Sequence, residues 1–103
     1  MAKNEVIEIL KLYVNLLRTE GVFVDKAFLY GSYLTDSATS ESDIDLMIIT
    51  DNENDDYLAG KIWKLTRNVN SKIEPFLVGK NRFYSNDNSP LVDLVKRTGL
   101  EII

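Results

Sequence analysis

Apolar residues recur every three to four positions in three stretches of the chain, which is the spacing of one face of an α-helix. The first stretch runs from Ala2 to about Thr19, and the second from residue 56 to residue 69. The third, Leu91–Arg97, is shorter and is followed by a glycine that favours a helix end. The pattern therefore predicts two long helices and one short one.

Three other stretches have the short, aromatic or β-branched character of strands: Lys26–Tyr30, Asp43–Ile49 and Lys72–Val78. The second ends in a continuous apolar run, which indicates an interior strand covered on both faces. Pro75 lies within the third and cannot donate to a ladder, so that strand is expected at an edge or a bulge. Residues 100–103 are a candidate for a last strand.

The order helix, strand, strand, helix, strand, helix predicts an α/β or α+β fold, in which helices pack on a small mixed sheet. With 103 residues there is room for one domain, residues 1–103, and for a sheet of three or four strands. The sequence has neither the pattern of a signal peptide nor that of a membrane span, so it predicts a cytoplasmic protein without membrane contact.

Composition narrows the chemistry that this fold can carry. The chain contains no cysteine and no histidine. This excludes a disulfide framework, a zinc finger, a thiol nucleophile and every catalytic arrangement that needs histidine. Any bound metal must therefore be a hard cation with oxygen ligands, such as Mg²⁺.

The formal charge of −4 is unevenly distributed along the chain. No lysine or arginine occurs between Lys26 and Lys61, whereas half of the acidic residues lie there. Within this block, the loop Asp51–Asp56 is expected to be solvated, because it lacks the glycine and the glutamate of an EF-hand calcium loop. The sequence shows neither a basic stripe nor a recognition helix, so it does not predict sequence-specific DNA binding.

The most informative spacing is Gly31-Ser32, then ten residues, then Asp43-x-Asp45 at the start of a predicted strand. Residues i and i+2 of a strand project from one face, so the two aspartates are expected to point together, with Cα atoms ~6–7 Å apart. Two like charges this close favour a cation between them, and Mg²⁺ binds carboxylate and phosphate oxygens together. The alternative is that both aspartates face solvent.

Gly31 and Ser32 form a candidate phosphate-binding turn. A glycine lets the backbone approach a ligand closely, and Ser32 can cap a short helical turn whose free N–H groups bind phosphate. Tyr33 follows directly and is a candidate nucleotide contact. On its own, a Gly-Ser pair is a common surface turn.

Glu74 is a candidate third carboxylate. It alternates with Ile73 in a predicted strand, so it lies on the opposite face from that apolar side chain. If this strand pairs beside Asp43–Ile49, Glu74 completes a three-carboxylate site able to hold one or two metals for phosphoryl displacement. Otherwise Glu74 is a surface residue of an edge strand.

The segment GSYLTDSATSESDIDLMII resembles the composite motif of the minimal nucleotidyltransferases of the polymerase-beta-like superfamily. The similarity extends over most of the chain, and Glu74 matches the third acidic residue of the family. The resemblance implies a nucleotidyltransferase fold and an enzyme that transfers a nucleoside monophosphate, AMP from ATP with Mg²⁺, to a hydroxyl. It also implies phosphate binding by Gly31 and Ser32, and metal binding and catalysis by Asp43, Asp45 and Glu74.

The same resemblance implies a protein partner, a small helical HEPN-type toxin that is adenylylated in a toxin–antitoxin pair; the oligomeric state is left open. One departure favours an alternative. Where many members carry an Ala-Arg-Gly-like element, this chain has Leu34-Thr35-Asp36, which lacks the positive side chain near the phosphates. Lys61, Lys64 and Arg67 on the second long helix could supply triphosphate or partner contacts, or be solvated. The alternative is a weakly active or inactive antitoxin that acts by contact alone.

Overall fold

A computed structural model describes residues 1–86 and 89–103 of the chain. In chain order the described elements are α1 (Lys3–Thr19), β1 (Lys26–Tyr30), β2 (Ile44–Thr50), α2 (Asp56–Thr66), β3 (Ile73–Gly79), α3 (Lys80–Tyr84), α4 (Pro90–Thr98) and β4 (Leu100–Glu101). None of these helices is long and apolar enough to cross a membrane.

These strands form a mixed sheet in the order β3-β2-β1-β4. β1 runs antiparallel to β2 and to β4, whereas β2 and β3 are parallel and are connected through α2. β2 is therefore an interior strand, as its apolar run predicted, and β3 lies at an edge, where Pro75 breaks no interior ladder. The predicted α+β fold with a small mixed sheet is confirmed.

α1 and α2 cover one face of the sheet. Strand alternation directs Ile44, Leu46 and Ile48 of β2 to this face, where each is fully buried. They pack with the apolar side of α1 and with Ile62 of α2. Tyr13 of α1 is also fully buried, and its hydroxyl donates a hydrogen bond to the Ile62 carbonyl over 2.6 Å. This face forms the larger of the two cores.

α3 and α4 cover only part of the opposite face. Here Met47 and Ile49 of β2 pack with Phe28 of β1 and Val78 of β3. α3 contributes Phe83, whose ring stacks on Phe28 with the ring centroids 5.4 Å apart, and α4 contributes two buried valines. The end of this face at which β2 begins carries polar side chains in place of core residues, and this end positions the candidate site.

The structure corrects several details of the sequence prediction. β2 begins at Ile44, so Asp43 immediately precedes the strand. α2 ends at Thr66 and does not continue to Val69, whose N–H bonds to the Thr66 carbonyl over 3.1 Å in a turn. β4 has only 2 residues. The five-residue helix α3, which follows β3 without a loop, was not predicted.

Candidate active site

Three side chains from neighbouring strands form a row on the partly covered face of the sheet. Tyr30 of β1 pairs with Asp45 of β2, and Asp45 pairs with Glu74 of the parallel strand β3. Because directly paired residues project from the same face, the phenol and the two carboxylates lie side by side. Tyr30 and Asp45 are half-buried, whereas Glu74 is exposed at the edge of the sheet.

Asp43 adds a third carboxylate to this row. It immediately precedes β2, and its carboxylate is close enough to interact with those of Asp45 and Glu74. The pKa of Asp45 is raised by burial and, to a smaller extent, by the charge of Asp43. The pKa of Glu74 is raised by partial burial, by the charge of Asp43 and a hydrogen bond with it, and by the charge of Asp45. The structure thus brings together the three carboxylates that the sequence singled out.

Tyr30 is a member of the row that the sequence analysis missed. Burial and, to a smaller extent, the charges of Asp45 and Glu74 together raise the pKa of Tyr30 to about 12. The phenol is therefore neutral at physiological pH and can donate a hydrogen bond to a carboxylate or a ligand. The available signal was its position at the end of a strand, directly before Gly31.

The acidic cluster, defined as Asp43, Asp45 and Glu74, carries uncompensated negative charge. Among residues 1–86 and 89–103, none of its carboxylates forms an ion pair with a lysine or arginine. In the same part of the chain, no group of three acidic side chains forms a preformed metal site. Mg²⁺ does not need one, because it retains water and binds one or two carboxylates together with phosphate oxygens. The donor set therefore fits a hard divalent cation.

Gly31 connects the acidic cluster to the turn that follows β1. Its φ angle is 79°, in the left-handed region that glycine adopts most easily. A Cβ atom at this position would overlap the Asp45 carboxylate and would lie 3.1 Å from its Cγ atom. Glycine is therefore required both by the backbone conformation and by the close approach of the main chain to Asp45.

The turn after Gly31 has the helical character expected of a phosphate-binding turn. The Gly31 carbonyl accepts hydrogen bonds from the N–H groups of Leu34 and Thr35, at 3.1 and 3.2 Å. Within the described part of the chain, the N–H groups of Ser32 and Tyr33 donate to no protein acceptor. These two groups are available to bind an anion.

The side chain of Tyr33 is not brought to the acidic cluster. It is only 5% exposed and packs in the core between the sheet, α1 and α2, on the opposite face from the three carboxylates. A turn has no hydrophobic periodicity, so the sequence could not assign the direction of this ring. The backbone N–H of Tyr33, and not its ring, is the group that the fold leaves unpaired at the turn.

The segment Leu34-Thr35-Asp36 completes the turn without a positive side chain. Asp36 has a φ angle of 60°, so an aspartate occupies a left-handed position that glycine adopts most easily. Its carboxylate forms an ion pair of 3.4 Å with Lys3 at the start of α1. The charge beside the turn is therefore balanced from α1.

The basic residues of α2 lie away from the acidic cluster. Lys61 and Lys64 belong to α2, which packs on the opposite face of the sheet, and Arg67 directly follows that helix. Lys61 donates a hydrogen bond to the Glu20 carbonyl at the end of α1, over 2.6 Å. This location separates them from any phosphate held at the turn after Gly31.

Structural comparison places this fold among the nucleotidyltransferases. A Sulfolobus solfataricus protein assigned as a nucleotidyltransferase superposes with a TM-score of 0.58 at 11% identity, covering 78% of this chain and 72% of its own. A toxin–antitoxin structure with AMP-PNP gives a TM-score of 0.58 at 19% identity, covering 100% of this chain and 73% of that chain. An aspartate-to-glutamate double variant of the toxin–antitoxin MntA–HpeT gives a TM-score of 0.56 at 17% identity. This match covers 100% of this chain and 73% of that chain. At these identities the likeness shows the fold alone.

The sequence profile of the family described as "Polymerase beta, Nucleotidyltransferase" matches residues 4–89, which is most of the chain. The chain therefore belongs to this nucleotidyltransferase family. The family resemblance based on the Gly-Ser and Asp-x-Asp motif is confirmed. A search of curated proteins finds no match.

Proposed function

We propose that the protein is a Mg²⁺-dependent enzyme that transfers a nucleoside monophosphate, AMP from ATP, to a hydroxyl group. The observation that carries the proposal is the convergence of three carboxylates beside the Gly31 turn, without a compensating cation among the described residues. A divalent cation and the phosphates of a nucleotide are the ligands that such a site fits. Residues 1–103 would act as one minimal nucleotidyltransferase domain in the cytoplasm.

Asp43 and Asp45 would hold the cation, with Glu74 as the third carboxylate. When bound, the cation supplies charge neutralisation at the transferring α-phosphoryl group. The free N–H groups of the turn would bind phosphate oxygens, and the hydrogen bonds to the Gly31 carbonyl hold the backbone of the turn in place before a substrate arrives. The close packing of Gly31 on Asp45 keeps this turn and the carboxylates in contact.

The proposed reaction is a displacement at the α-phosphorus of the nucleotide. The acceptor oxygen forms a new bond to phosphorus while the bond to pyrophosphate breaks, and the hydroxyl proton passes to a carboxylate. Glu74 suits that role because it is exposed to an incoming acceptor.

The proposed acceptor is a partner protein. The acidic cluster lies at the end of the sheet that α3 and α4 leave uncovered, so a hydroxyl on a macromolecule can reach it. Two of the similar structures are described as toxin–antitoxin, one of them with AMP-PNP. By analogy, the partner would be a small helical HEPN-type toxin, and adenylylation of its hydroxyl would neutralise it.

The test is to incubate the protein with its neighbouring gene product, Mg²⁺ and α-labelled ATP. We expect wild type to label the partner and Asp43→Asn to label it at least about 100-fold more slowly, because the site loses one charge that positions the cation. Asp51→Asn is the matched control, since Asp51 is an exposed aspartate at the opposite end of β2. No label on any partner, or equal labelling by wild type and Asp43→Asn, would overturn the proposal.

A second candidate function is a binding module that neutralises its partner by contact alone. The observation in its favour is that Leu34-Thr35-Asp36 brings no positive side chain to the turn after Gly31, and that the Asp36 carboxylate already engages the nearby Lys3. Titration calorimetry with Mg²⁺ and ATP separates the two functions. Lack of nucleotide binding, together with a stable complex with the partner, favours the module, whereas nucleotide binding favours the enzyme.

A further inference from the structure

A triphosphate at the proposed site would bring more negative charge beside three carboxylates. The loop that joins β1 to β2 contains no lysine or arginine, and its turn is completed by Leu34-Thr35-Asp36. Proteins hold phosphate oxygens with lysine or arginine as well as with backbone N–H groups. Lys3 and Lys72 both contact this loop from other elements, and they are therefore the candidates for that role.

The backbone of Lys72 is firmly held next to the acidic cluster. Lys72 directly precedes β3 and lies two residues before Glu74. Its carbonyl accepts a hydrogen bond of 2.8 Å from the N–H of Ile44, the residue between the two aspartates. Its own N–H donates a hydrogen bond of 2.8 Å to the side chain of Asn70. Both polar groups of its backbone are thus paired, which fixes the Cα atom of Lys72 at the start of β2.

The ammonium group of Lys72 is held much less firmly. Its Nζ donates to the carbonyl of Ser40, in the loop that leads to Asp43. Among the described residues, no carboxylate lies within ion-pair distance of the Lys72 Nζ atom. Lys3 differs, because its Nζ forms an ion pair of 3.4 Å with Asp36. Release of Lys72 costs one hydrogen bond to a neutral carbonyl, whereas release of Lys3 leaves an unpaired carboxylate beside the turn.

We propose that Lys72 is a triphosphate-binding residue, whose ammonium group leaves the Ser40 carbonyl and binds phosphate oxygens of the incoming nucleotide. This assignment rests on the proposed nucleotidyltransferase function and deepens it by naming the cation that meets the substrate. A flexible four-carbon side chain on a fixed Cα atom can move from the loop toward the acidic cluster while the backbone stays in place. Before the nucleotide binds, the same side chain steadies the loop before Asp43.

Equilibrium binding of a non-hydrolysable ATP analogue with Mg²⁺ to the full chain tests this assignment. We expect Lys72→Gln, which keeps a hydrogen-bond donor but no charge, to weaken binding about 10-fold or more, and Lys72→Arg to restore most of it. In the transfer assay, Lys72→Gln should raise KM for ATP more than it lowers kcat. Lys26→Gln is the matched control, because Lys26 lies at the other end of β1 and pairs with Glu101 at 3.0 Å.

Other outcomes would overturn the assignment. Unchanged binding in Lys72→Gln, or a loss in Lys3→Gln in its place, removes Lys72 from the phosphate site. An equal loss of Mg²⁺ binding measured without nucleotide would mean that Lys72 only holds the loop before Asp43. Wild type that does not bind the analogue overturns both proposals. Wild type that binds it through Lys72 but transfers no label overturns the proposed function alone.

Discussion

On the sheet face covered by α1 and α2, β2 contributes three isoleucine or leucine side chains, and all three are fully buried. On the face covered by α3 and α4, the side chains of the same strand change from the charged Asp45, through Met47, to the buried Ile49. The difference follows from alternation, because successive residues of a strand project from opposite faces. One strand can therefore complete a core on one side and present charge on the other.

The two faces also differ in what they contribute to the free energy of unfolding. The face under α1 and α2 removes apolar surface from water, which stabilises the fold. At the open end of the other face, the pKa values of Asp45 and Glu74 are raised, so their ionised forms are less favourable in the folded chain than in the unfolded chain. The covered face provides the stability that allows three like charges to stay together.

The largest expected effect is a loss of stability at the covered face. Ile48→Ala removes fully buried methyl groups from the larger core and should lower the free energy of unfolding by about 2–5 kcal/mol. Urea denaturation at neutral pH measures this loss. Phe76→Ala is the comparison on the other face, where the ring is 39% exposed and its removal should cost less. A larger loss of stability for Phe76→Ala than for Ile48→Ala would contradict the prediction that the face covered by α1 and α2 contributes more to stability.

The next effect concerns the contact between the turn and the acidic cluster. Gly31→Ala and Gly21→Ala both place a side chain at a positive φ, 79° and 87°, but the space around Gly21 is open. Gly31→Ala should therefore lower the free energy of unfolding by about 1–3 kcal/mol more than Gly21→Ala, and only Gly31→Ala should impair nucleotide binding.

A double-mutant cycle identifies the cause of that difference. In an Asp45→Ala background the carboxylate is absent, so Gly31→Ala should cost less than it does in the wild type. Equal losses for Gly31→Ala in the two backgrounds, measured by chemical denaturation, would refute a steric link between the turn and Asp45.

A smaller loss is expected for the buried phenol of the covered face. Tyr13→Phe removes the hydrogen bond of 2.6 Å to the Ile62 carbonyl and should lower the free energy of unfolding by about 1 kcal/mol. Tyr57→Phe is the control, because Tyr57 is 80% exposed and, among the described residues, its hydroxyl has no hydrogen-bond partner. Equal effects of the two substitutions on thermal unfolding would mean that the buried hydrogen bond of Tyr13 does not contribute to the free energy of unfolding.

The smallest expected effect is a gain in stability. Glu74→Gln removes one of three like charges, and solvent screening at this exposed edge limits the gain to about 0.2–1 kcal/mol at neutral pH. A carboxyl with a raised pKa stabilises the fold below its unfolded pKa, and this contribution is lost as the pH rises through its folded pKa. The gain in the free energy of unfolding from Glu74→Gln should therefore vanish below about pH 4.

Thermal unfolding without divalent cations, near pH 3 and near pH 7, measures this gain. Glu41→Gln, in the exposed loop before β2, is the control and should leave stability unchanged at both values. Lower stability of Glu74→Gln at neutral pH would contradict the interpretation that the cluster is electrostatically unfavourable without a cation.

Much of the fold could be predicted because its elements have clear periods. α1 repeats its apolar residues over 17 residues, and β2 carries a continuous apolar run. α3 could not be predicted, because its five residues include a single buried side chain, Phe83, and no period can appear over that length. The parallel pairing of β2 with β3 also depends on contacts across the chain, and a local pattern does not specify it.

The site was predictable to the extent that strand alternation determines it. The three carboxylates could be assigned to one face, and their roles in metal binding and catalysis stay predictions. The direction of the Tyr33 ring could not be assigned, because a turn has no alternating pattern. The position of Tyr30 depends on the register of three strands, and the contact of Lys72 with Ser40 joins residues 32 positions apart.

The first half of the outer edge of β3 is poorly suited to recruit a strand from another molecule. The hydrogen bond from Ile44 to the Lys72 carbonyl sets the parallel ladder so that the N–H positions of Ile73 and Pro75 face outward. Ile73 donates to the Asn70 carbonyl over 3.1 Å, and proline has no N–H to offer. Edge-to-edge pairing is therefore disfavoured along the first half of this strand, where neither Ile73 nor Pro75 offers a free N–H. A protein that approaches Glu74 meets no free main-chain donor on either side of it, so we expect contact through the side chains of that protein's own folded surface.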